Sequence, residues 1–371
     1  MKRIRKKQKP LIFLTAGGTG GHIYPAEALA QELLKRGYRL AFITDARCKE
    51  NYKGSLNDLT NYVVWGGALV GKSKWFKIKS LFKTAIGVLQ GVFLILKNRP
   101  KCVIGFGGYA SFPACMAAIL LGTDLVLHEQ NAVMSRTNRF LSKYAALIAQ
   151  SFKNVKYVPL GAKTILTGMP VREAIVKVAE EKTKNEDKQN EFQILILGGS
   201  QGAKVFSEVV PAAVARLDKK DQKKLKIFQQ CRKEDVTLVE NAYQACAADV
   251  TVSHFFGNMD EIYKNTDLVI SRAGASSVCE IAVVGIPSIL VPLPIAADDH
   301  QTYNAMNLSD AKGALLIKQK DFAVENVSAL LADFMTNTKM AKKMSDAAKK
   351  VGIKDAAQRF ADAVEKDILR K

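Results

Sequence analysis

The sequence lacks several patterns that would assign its chemistry directly. Its six cysteines form no Cys-x-x-Cys pair, which argues against a zinc site and a disulfide framework and is typical of a reducing cytosol. Asp-x-Asp, a spacing that holds a divalent ion on a nucleotide diphosphate, is also absent. Only about five apolar residues follow the basic start KRIRKKQK, which is too short a run for a signal peptide.

Acidic residues are missing from one long stretch, between Leu59 and Thr123. Residues 1–170 contain 26 Lys and Arg against 7 Asp and Glu, whereas the rest of the chain contains 29 against 28. We therefore expect the N-terminal half to meet an anionic lipid, a nucleic acid or a polyphosphate ligand. Because the chain has neither an aromatic RNP pattern nor zinc-finger spacing, a nucleic-acid partner is not expected.

The stretch that organises the chain is 11–25. Leu11–Leu14 is a short apolar run that predicts a buried parallel strand, and four glycines and a helix pattern follow it. Such a turn brings backbone N–H groups to the positive end of a helix, which suits an anion. It departs from the Rossmann fingerprint at Ile23, so a tight turn without a ligand is the alternative. His22 could be a general base near neutral pH or a merely polar residue at a helix start.

The same device recurs in the second half of the chain. Phe192–Leu197 is an apolar run followed by GGSQG, and Asp267–Ile270 is followed by SRAGASS. The 371 residues, 48% of them hydrophobic, are enough for two domains. The repeat therefore predicts an α/β protein of two Rossmann-like domains facing each other across a cleft, with a boundary near 165–172.

Polar side chains follow two more predicted strands. His128 to Asn131 come after Asp124–Leu127, and Asp298 to Gln301 come after Ile286–Pro292. Ligands of open α/β sheets lie beyond the carboxyl ends of the strands, although a hydrogen-bonded core cluster is the alternative. Glu280, one turn into a predicted helix, could hold a ribose diol or simply complement the helix dipole.

Basic and apolar residues alternate in the segment 66–101. The apolar run Leu81–Leu96 has 16 residues, whereas a membrane-spanning helix needs about 20. An ordinary core helix with a basic lead-in is one interpretation. The other is a surface patch lying on an anionic bilayer. The residues predicted to face the membrane are Lys72, Lys74, Trp75, Phe76, Lys77, Lys79 and Phe82.

Seven motifs together resemble the MurG family of bacterial peptidoglycan glycosyltransferases over essentially the whole chain. They are, in order, GGTGGH (17–22), GFGGY (105–109), HEQN (128–131), G-x-PVR (168–172), GGSQG (198–202), SRAGASS–E (271–280) and DHQ–NA (299–305).

This resemblance implies a GT-B fold and transfer of N-acetylglucosamine from UDP-N-acetylglucosamine, with inversion, to the C4 hydroxyl of undecaprenyl-pyrophosphoryl-N-acetylmuramoyl pentapeptide. The product is lipid II of cell-wall synthesis. No metal or other cofactor is expected, since backbone amides and helix dipoles can stabilise the departing diphosphate. The resemblance places the enzyme peripherally on the cytoplasmic face of the inner membrane, with anionic lipids and cell-wall synthesis proteins as partners. Another GT-B enzyme acting on a different lipid acceptor, or a UDP-sugar epimerase, is the alternative.

The resemblance also implies residue roles. His22 is the expected base, with Glu129 as the second candidate. Glu280 is expected at the ribose, and His300 and Gln301 at the sugar. The remaining donor contacts are Thr19, Gly20, Gly21, Asn131, Arg172, Ser200, Phe256, Ala275, Ser276, Ser277, Val278 and Cys279. The acceptor side has Gly107, Gly108 and Tyr109.

Two positions depart from the family pattern. Met169 stands where the family usually has Asn beside Arg172, and Val70 stands where an arginine is common. The expected domains are 1–168 on the acceptor and membrane side and 169–352 for the UDP-sugar. A C-terminal helix at about 353–371 is expected to pack back on the first domain.

Overall fold

The computed structural model describes residues 9–18, 20–52, 54–67, 74–181, 191–199 and 202–370, except for the side chains of Asn51, Lys74 and Lys77. The chain forms two compact units, one of residues 1–172 with 355–371 and the other of residues 173–354. The boundaries expected at 168 and 352 lie close to these limits.

The first unit alternates strands and helices. Its strands are β1 (Leu11–Thr15), β2 (Arg39–Thr44), β3 (Thr60–Val63), β4 (Cys102–Gly105), β5 (Asp124–Glu129), β6 (Leu147–Gln150) and β7 (Thr164–Leu166). Its first helices are α1 (Gly20–Lys35), α2 (Ala46–Asn51), α3 (Lys74–Asn98), α4 (Phe112–Leu120) and α5 (Arg136–Leu141), with 3-10 turns at Ser55–Asp58 and Ser142–Tyr144.

The seven strands form one parallel sheet in the order β3-β2-β1-β4-β5-β6-β7. The central strands are apolar along their whole length because helices cover both faces of a parallel sheet. The order reverses between β1 and β4, where Ile12 pairs with Cys102 and Thr15 with Gly105. This reversal opens a crevice at the carboxyl ends of the two strands, the usual ligand position in such folds.

The second unit repeats this architecture. Its strands are β8 (Phe192–Leu197), β9 (Leu225–Gln230), β10 (Asp249–Ser253), β11 (Leu268–Ser271), β12 (Ser288–Leu290) and β13 (Ala314–Leu316). Its helices are α6 (Glu173–Glu181), α7 (Lys204–Ala215), α8 (Lys219–Gln222), α9 (Val236–Tyr243), α10 (Met259–Asn265), α11 (Ala275–Val284), α12 (His300–Ser309), α13 (Val324–Thr336) and α14 (Thr338–Val351), with 3-10 turns at Lys233–Asp235, Ala297–Asp299 and Gln319–Asp321.

Its six strands are also parallel, in the order β10-β9-β8-β11-β12-β13. The reversal falls between β8 and β11, where Leu197 pairs with Ser271. Each unit is therefore a Rossmann-like sheet with its own switch point, as the repeated strand–glycine–helix pattern predicted.

The chain then returns to the first unit through α15 (Ala356–Val364) and a π-helical turn, Glu365–Leu369. Phe360 and Val364 are fully buried in the same core as Leu29 and Leu33 of α1. At the edge of this core, the Arg36 guanidinium lies 2.6 Å from the Asp362 carboxylate. The C-terminal helix thus completes the first unit, where the sequence placed it.

Helix α3 is longer than the sequence suggested. Its apolar stretch Ile78–Asn98 has 21 residues and a mean hydropathy of 1.5, so length and composition alone would allow it to cross a membrane. One face packs on α4, where a Cβ atom added at Gly91 would lie 2.9 Å from the Ala117 Cβ. The opposite face is exposed, including Phe82 at 67% and Leu89 at 68%. The helix therefore lies along the first unit with an apolar face uncovered.

Candidate active site

Two glycine turns meet at the switch point of the first unit. One follows β1 and leads into α1 at Gly20, and the other follows β4. Gly18 has a φ of 90°, and Gly107 and Gly108 have φ values of 79° and 77°. A side chain would strain the backbone at these three positions, so glycine is needed for the turns to approach each other.

His22 lies in the first turn of α1 against the second glycine turn. A Cβ atom added at Gly107 would lie 3.5 Å from both Cε1 and Nδ1 of the imidazole, and one added at Gly108 would lie 3.4 Å from Cδ2. Burial lowers the pKa of His22, although the Phe106 carbonyl and the Gln130 side chain act in the opposite direction. The ring is therefore neutral near pH 7, which is the state a general base needs.

Glu129, the second candidate base, is fully buried at the end of β5. Its Oε1 accepts a hydrogen bond from the Asn131 backbone N–H at 3.0 Å. Its Oε2 accepts from the Ser135 N–H at 3.0 Å and from Asn138 Nδ2 at 2.8 Å. Burial raises the pKa of Glu129 and these hydrogen bonds oppose that shift. The carboxylate is thus committed to holding the loop that carries Asn131.

The neighbouring polar residues of β5 form a buried network. Gln130 Nε2 donates to the Phe106 carbonyl at 2.6 Å and lies 3.1 Å from His128 Nδ1. The His128 ring stacks on Phe360 of α15 at 5.5 Å and 26°. Burial lowers the pKa of His128 to about 3, so this ring is neutral at any physiological pH. His128 therefore belongs to the interior of the unit.

Two further predicted residues, Tyr109 and Arg172, belong to the first unit. Burial and the Asp45 carboxylate raise the pKa of Tyr109, the last residue of the GFGGY motif. The Arg172 guanidinium lies 5.0 Å from the ring centre of Tyr24 on α1, close enough for a cation–π contact. Thr19 and Val70 lie outside the described residues.

The switch point of the second unit also carries a glycine turn. A Cβ atom added at Gly198 would lie 2.7 Å from the Gly202 Cα, so the turn leaves no space for a side chain. Gly199 and Gly202 have φ values of 78° and 68°. Ser200, a predicted donor contact, lies outside the described residues.

Helix α11 begins at this switch point, immediately after the turn that follows β11. Its first turn contains the predicted residues Ala275, Ser276, Ser277 and Val278. The Ser276 hydroxyl oxygen is buried and forms no hydrogen bond within the described part of the chain. Cys279 and Glu280 follow, both partly exposed. Glu280 accepts a hydrogen bond from the Tyr263 hydroxyl at 3.2 Å, which fixes the carboxylate one turn from the helix start.

Helix α12 brings the DHQ–NA motif to the same region. Asn304 is buried and donates to the Ala273 carbonyl at 3.1 Å, which ties α12 to the turn before α11. Gln301 accepts from the Leu293 N–H at 3.0 Å, and His300 Nδ1 lies 2.8 Å from the Ala297 carbonyl. The predicted ribose and sugar residues therefore belong to connected elements. Phe256 lies farther along the sheet, edge-on to Phe228 of β9 at 5.9 Å.

Two positions are important in the structure although the sequence did not single them out. Arg272 is buried, and its guanidinium donates to the carbonyls of Val291 and Pro292 and to Gln319. It joins the turn after β11 to the end of β12. The sequence indicates Gln130 only as one member of the polar group His128 to Asn131. Both residues stand inside quoted motifs, but motif membership does not reveal which partners a side chain has.

The described residues include no group of three or more His, Cys, Asp or Glu side chains that could hold a metal ion. The polar groups at the two switch points are backbone and side-chain amides, hydroxyls, imidazoles and the carboxylates of Glu129 and Glu280. Transfer without a metal stays a prediction.

Two family models match the chain. The glycosyltransferase family 28 N-terminal domain matches residues 12–150, and the C-terminal domain of the same family matches residues 193–360. Two Rossmann-like units, each with a glycine turn at its switch point, together with these matches define a glycosyltransferase of the GT-B class.

Comparison with individual proteins identifies the family within the GT-B class. The chain is 44% identical over 359 residues to the UDP-N-acetylglucosamine–N-acetylmuramyl-(pentapeptide) pyrophosphoryl-undecaprenol N-acetylglucosamine transferase of Paramagnetospirillum magneticum, covering 96% of both chains. It is 39% identical to the enzyme of the same name from Granulibacter bethesdensis, covering 97% of this chain and 94% of the relative. Among solved structures, Acinetobacter baumannii MurG is similar with a TM-score of 0.76 and 30% identity, over 96% of this chain and 99% of that one. The chain belongs to the MurG family.

Proposed function

We propose that this protein transfers N-acetylglucosamine from UDP-N-acetylglucosamine to the C4 hydroxyl of undecaprenyl-pyrophosphoryl-N-acetylmuramoyl pentapeptide. The observation that carries the proposal is the position of His22. It is a neutral imidazole in the first turn of α1, at a switch point, against two left-handed glycines. Membership of the MurG family supplies the substrate pair.

His22 acts as the base in this mechanism. The hydroxyl oxygen bonds to C1 of the donor sugar, the bond from C1 to the diphosphate oxygen breaks, and the hydroxyl proton passes to Nε2 of His22. Attack opposite the leaving group inverts C1 and gives a β-1,4 link, with UDP as the second product. Gly107 and Gly108 lie beside His22, and they form the proposed acceptor side together with Tyr109. Glu129 keeps a supporting role, since its oxygens already accept hydrogen bonds from the loop that carries Asn131.

The second unit supplies the donor contacts. Glu280 binds the ribose hydroxyls, and its orientation by Tyr263 supports this role. The start of α11 faces the diphosphate, and the buried Ser276 hydroxyl is a ready donor there. His300 and Gln301 contact the sugar. Phe256 of the second unit, with Gly20, Gly21, Asn131 and Arg172 of the first unit, also belongs to the proposed donor set.

The leaving diphosphate is stabilised without a metal ion. Backbone N–H groups and the positive ends of helices stabilise the negative charge that develops on the leaving group, as preorganised donors do in an oxyanion hole. Turnover should be unchanged in EDTA. Complete loss of activity in EDTA, restored by Mg²⁺, would contradict the metal-free mechanism.

The enzyme binds peripherally to the cytoplasmic face of the inner membrane through α3. Trp75, Phe82 and Leu89 are 67% to 76% exposed on this helix. Lys79 and Lys83 are exposed beside them, and no acidic residue occurs between Leu59 and Thr123. Apolar side chains surrounded by lysine suit a bilayer that contains anionic lipid. Lys72 and the side chains of Lys74 and Lys77 lie outside the described residues.

Vesicle sedimentation tests this docking. Neutralising Lys74, Lys77 and Lys79 should weaken binding to vesicles with anionic lipid and leave turnover of a short-chain soluble acceptor intact. Neutralising Lys219, Lys220 and Lys223 of the second unit is the matched control. Unchanged vesicle binding of the α3 variant would contradict the membrane role of this helix.

Radiolabelled donor and a lipid-linked muramoyl-pentapeptide acceptor test the reaction itself. We expect a product heavier by one N-acetylglucosamine, formed only when both substrates are present. Conversion of the donor in the absence of acceptor would indicate a UDP-sugar epimerase instead. Transfer to a different lipid in an acceptor panel would indicate another GT-B activity.

A further inference from the structure

We propose that Gln130 is a positioning residue that holds His22 in the tautomer with its proton on Nδ1. Nε2 is then left with the lone pair that accepts the proton of the acceptor hydroxyl. This inference rests on the proposed function, in which His22 is the base. It deepens that function by assigning the group that prepares the base.

The side-chain amide of Gln130 has only one favourable orientation. Its Nε2 lies 2.6 Å from the Phe106 carbonyl oxygen and 3.1 Å from His128 Nδ1. If the amide were turned over, Oε1 would lie beside the carbonyl oxygen, which has no proton to share. A buried pair of acceptors is costly, so Nε2 keeps this place and Oε1 points elsewhere.

His128 reinforces this orientation. The ring is fully buried and stacked on Phe360, and it remains neutral because burial strongly disfavours its charged form. A neutral imidazole has one N–H donor and one acceptor nitrogen. Since Nδ1 accepts from Gln130, the proton of His128 lies on Nε2, which is 3.3 Å from the Ser151 hydroxyl. The network therefore has a single direction of donation through Gln130.

The free end of the amide lies next to His22. Gln130 Oε1 and His22 Nδ1 are both buried, and neither has another side-chain or backbone partner within the described part of the chain. Both atoms lie 3.5 Å from one point, the position that a Cβ atom of Gly107 would occupy. The Gln130 side chain and the Phe106 carbonyl both raise the pKa of His22. Each of them therefore presents an acceptor to the protonated ring.

An imidazole nitrogen that faces only acceptors carries the ring proton. Catalytic hydrogen bonds are often long in the absence of substrate and shorten in the complex, so the Nδ1–H···Oε1 contact is expected to close when the acceptor binds. After the hydroxyl proton reaches Nε2, the imidazolium keeps its Nδ1–H bond to the amide. A neutral amide stabilises that cation less than a carboxylate would, which keeps the resting base unprotonated near pH 7.

The first test reads the tautomer directly, without substrate. The chain has four histidines, so ¹⁵N-histidine labelling gives a small spectrum that His254→Gln and His300→Gln variants help to assign. In the wild-type protein we expect the proton on Nδ1 in His22 and on Nε2 in His128. Gln130→Met should shift His22 towards a mixture of tautomers. A wild-type His22 protonated on Nε2 would overturn the proposal, whatever the transferase assay shows.

The second test reads the pH dependence of kcat/KM. Gln130→Met should lower kcat by about 10-fold to 100-fold, the usual effect of removing a supporting hydrogen-bond partner, and move the acid limb to lower pH. Gln130→Glu should move that limb to higher pH, because a carboxylate stabilises the imidazolium.

Gln222→Met is the matched control, since Gln222 is a fully buried glutamine of the second unit that donates to the Leu217 carbonyl. It should lower thermal stability and leave the acid limb in place. If both Gln130 variants fold and lower kcat with the limb unmoved, Gln130 has only a structural role and the proposal is wrong. If neither variant folds, the wild-type tautomer alone decides.

Discussion

The two units use the same strand–glycine–helix device and fill it with different side chains. At the first switch point lie ionisable groups, namely His22 with the buried His128 and Glu129 behind it. At the second lie hydroxyls and amides, such as Ser276 and Gln301, and the ionisable groups there, Glu280 and His300, are partly exposed instead of buried. In each unit, a helix N-terminus at the switch point presents the same positive backbone dipole. The side chains then make one half suited to moving a proton and the other suited to holding an anion.

The two units also differ in their balance of basic and acidic residues. Residues 1–170, which make up most of the first unit, have 26 basic and 7 acidic residues, and the rest of the chain is nearly balanced. A long-range positive field favours a negatively charged surface, whereas a nucleotide site needs only local donors. The excess charge of the N-terminal half therefore supports the proposed membrane contact, and the proposed UDP site of the second unit needs no such excess.

The largest expected effect comes from removing the base of the first unit. His22→Ala should lower kcat by about 10²-fold to 10⁴-fold, the usual contribution of a general base, and leave UDP affinity unchanged, because the proposed UDP contacts belong mainly to the second unit. Turnover of the lipid-linked acceptor and calorimetric UDP binding measure the two quantities. Near-wild-type turnover would remove His22 as the base and end the contrast between the units.

Phe360→Ala tests whether the C-terminal helix belongs energetically to the first unit. The ring is fully buried against His128, and deleting such a side chain costs about 3–5 kcal/mol. The free energy of unfolding of the first unit should fall by that amount in urea titration. Phe255→Ala, at an exposed position of the second unit, is the control and should have little effect.

Glu280→Ala tests the second unit. Loss of a carboxylate hydrogen bond to ribose should weaken UDP binding by about 2 kcal/mol, or roughly 30-fold. At saturating donor, kcat should change little. Glu240→Ala on α9, an exposed acidic residue, is the matched control for titration calorimetry. Unchanged UDP affinity in the Glu280 variant would leave the carboxylate as a complement to the helix dipole.

The smallest effect is a pH dependence of stability confined to the first unit. His22 and His128 have lowered pKa values in the folded protein, so the unfolded chain binds more protons below its own histidine pKa of about 6.5. Stability is complete above about pH 6.5 and is lost as the pH falls from there towards the folded pKa values. His128→Gln should flatten the decrease in Tm between pH 6.5 and 4.5. His254→Gln in the second unit should keep the wild-type slope.

Much of this architecture could be predicted from local pattern. The sequence predicts Phe192–Leu197 at its observed bounds, because central parallel strands are continuous apolar runs. The short outer strands β3, β7 and β13 were missed, since edge strands of three or four residues have little periodicity. The apolar run Leu81–Leu96 is shorter than α3 because the helix begins earlier, at Lys74, within the lysine-rich residues that precede the run.

The chemistry of the first switch point was predictable only in part. His22 stands at a glycine turn, and that position indicates a role. Glu129 was expected as a second base, but its burial and its four hydrogen-bonding groups depend on residues up to nine positions away. The contacts of Gln130 with Phe106, and of His128 with Phe360, join segments that lie far apart in the chain. No local pattern reports such contacts.

The return of α15 to the first unit has a consequence for synthesis on the ribosome. The second unit, residues 173–354, must be translated before Phe360 and Val364 can enter the core that begins at Ile12. At about 5–20 residues per second, the N-terminal sheet waits roughly 10–40 s with part of its apolar surface uncovered. The nascent first unit should therefore bind ribosome-associated chaperones until α15 emerges. The second unit can fold as soon as its own residues leave the ribosomal exit tunnel.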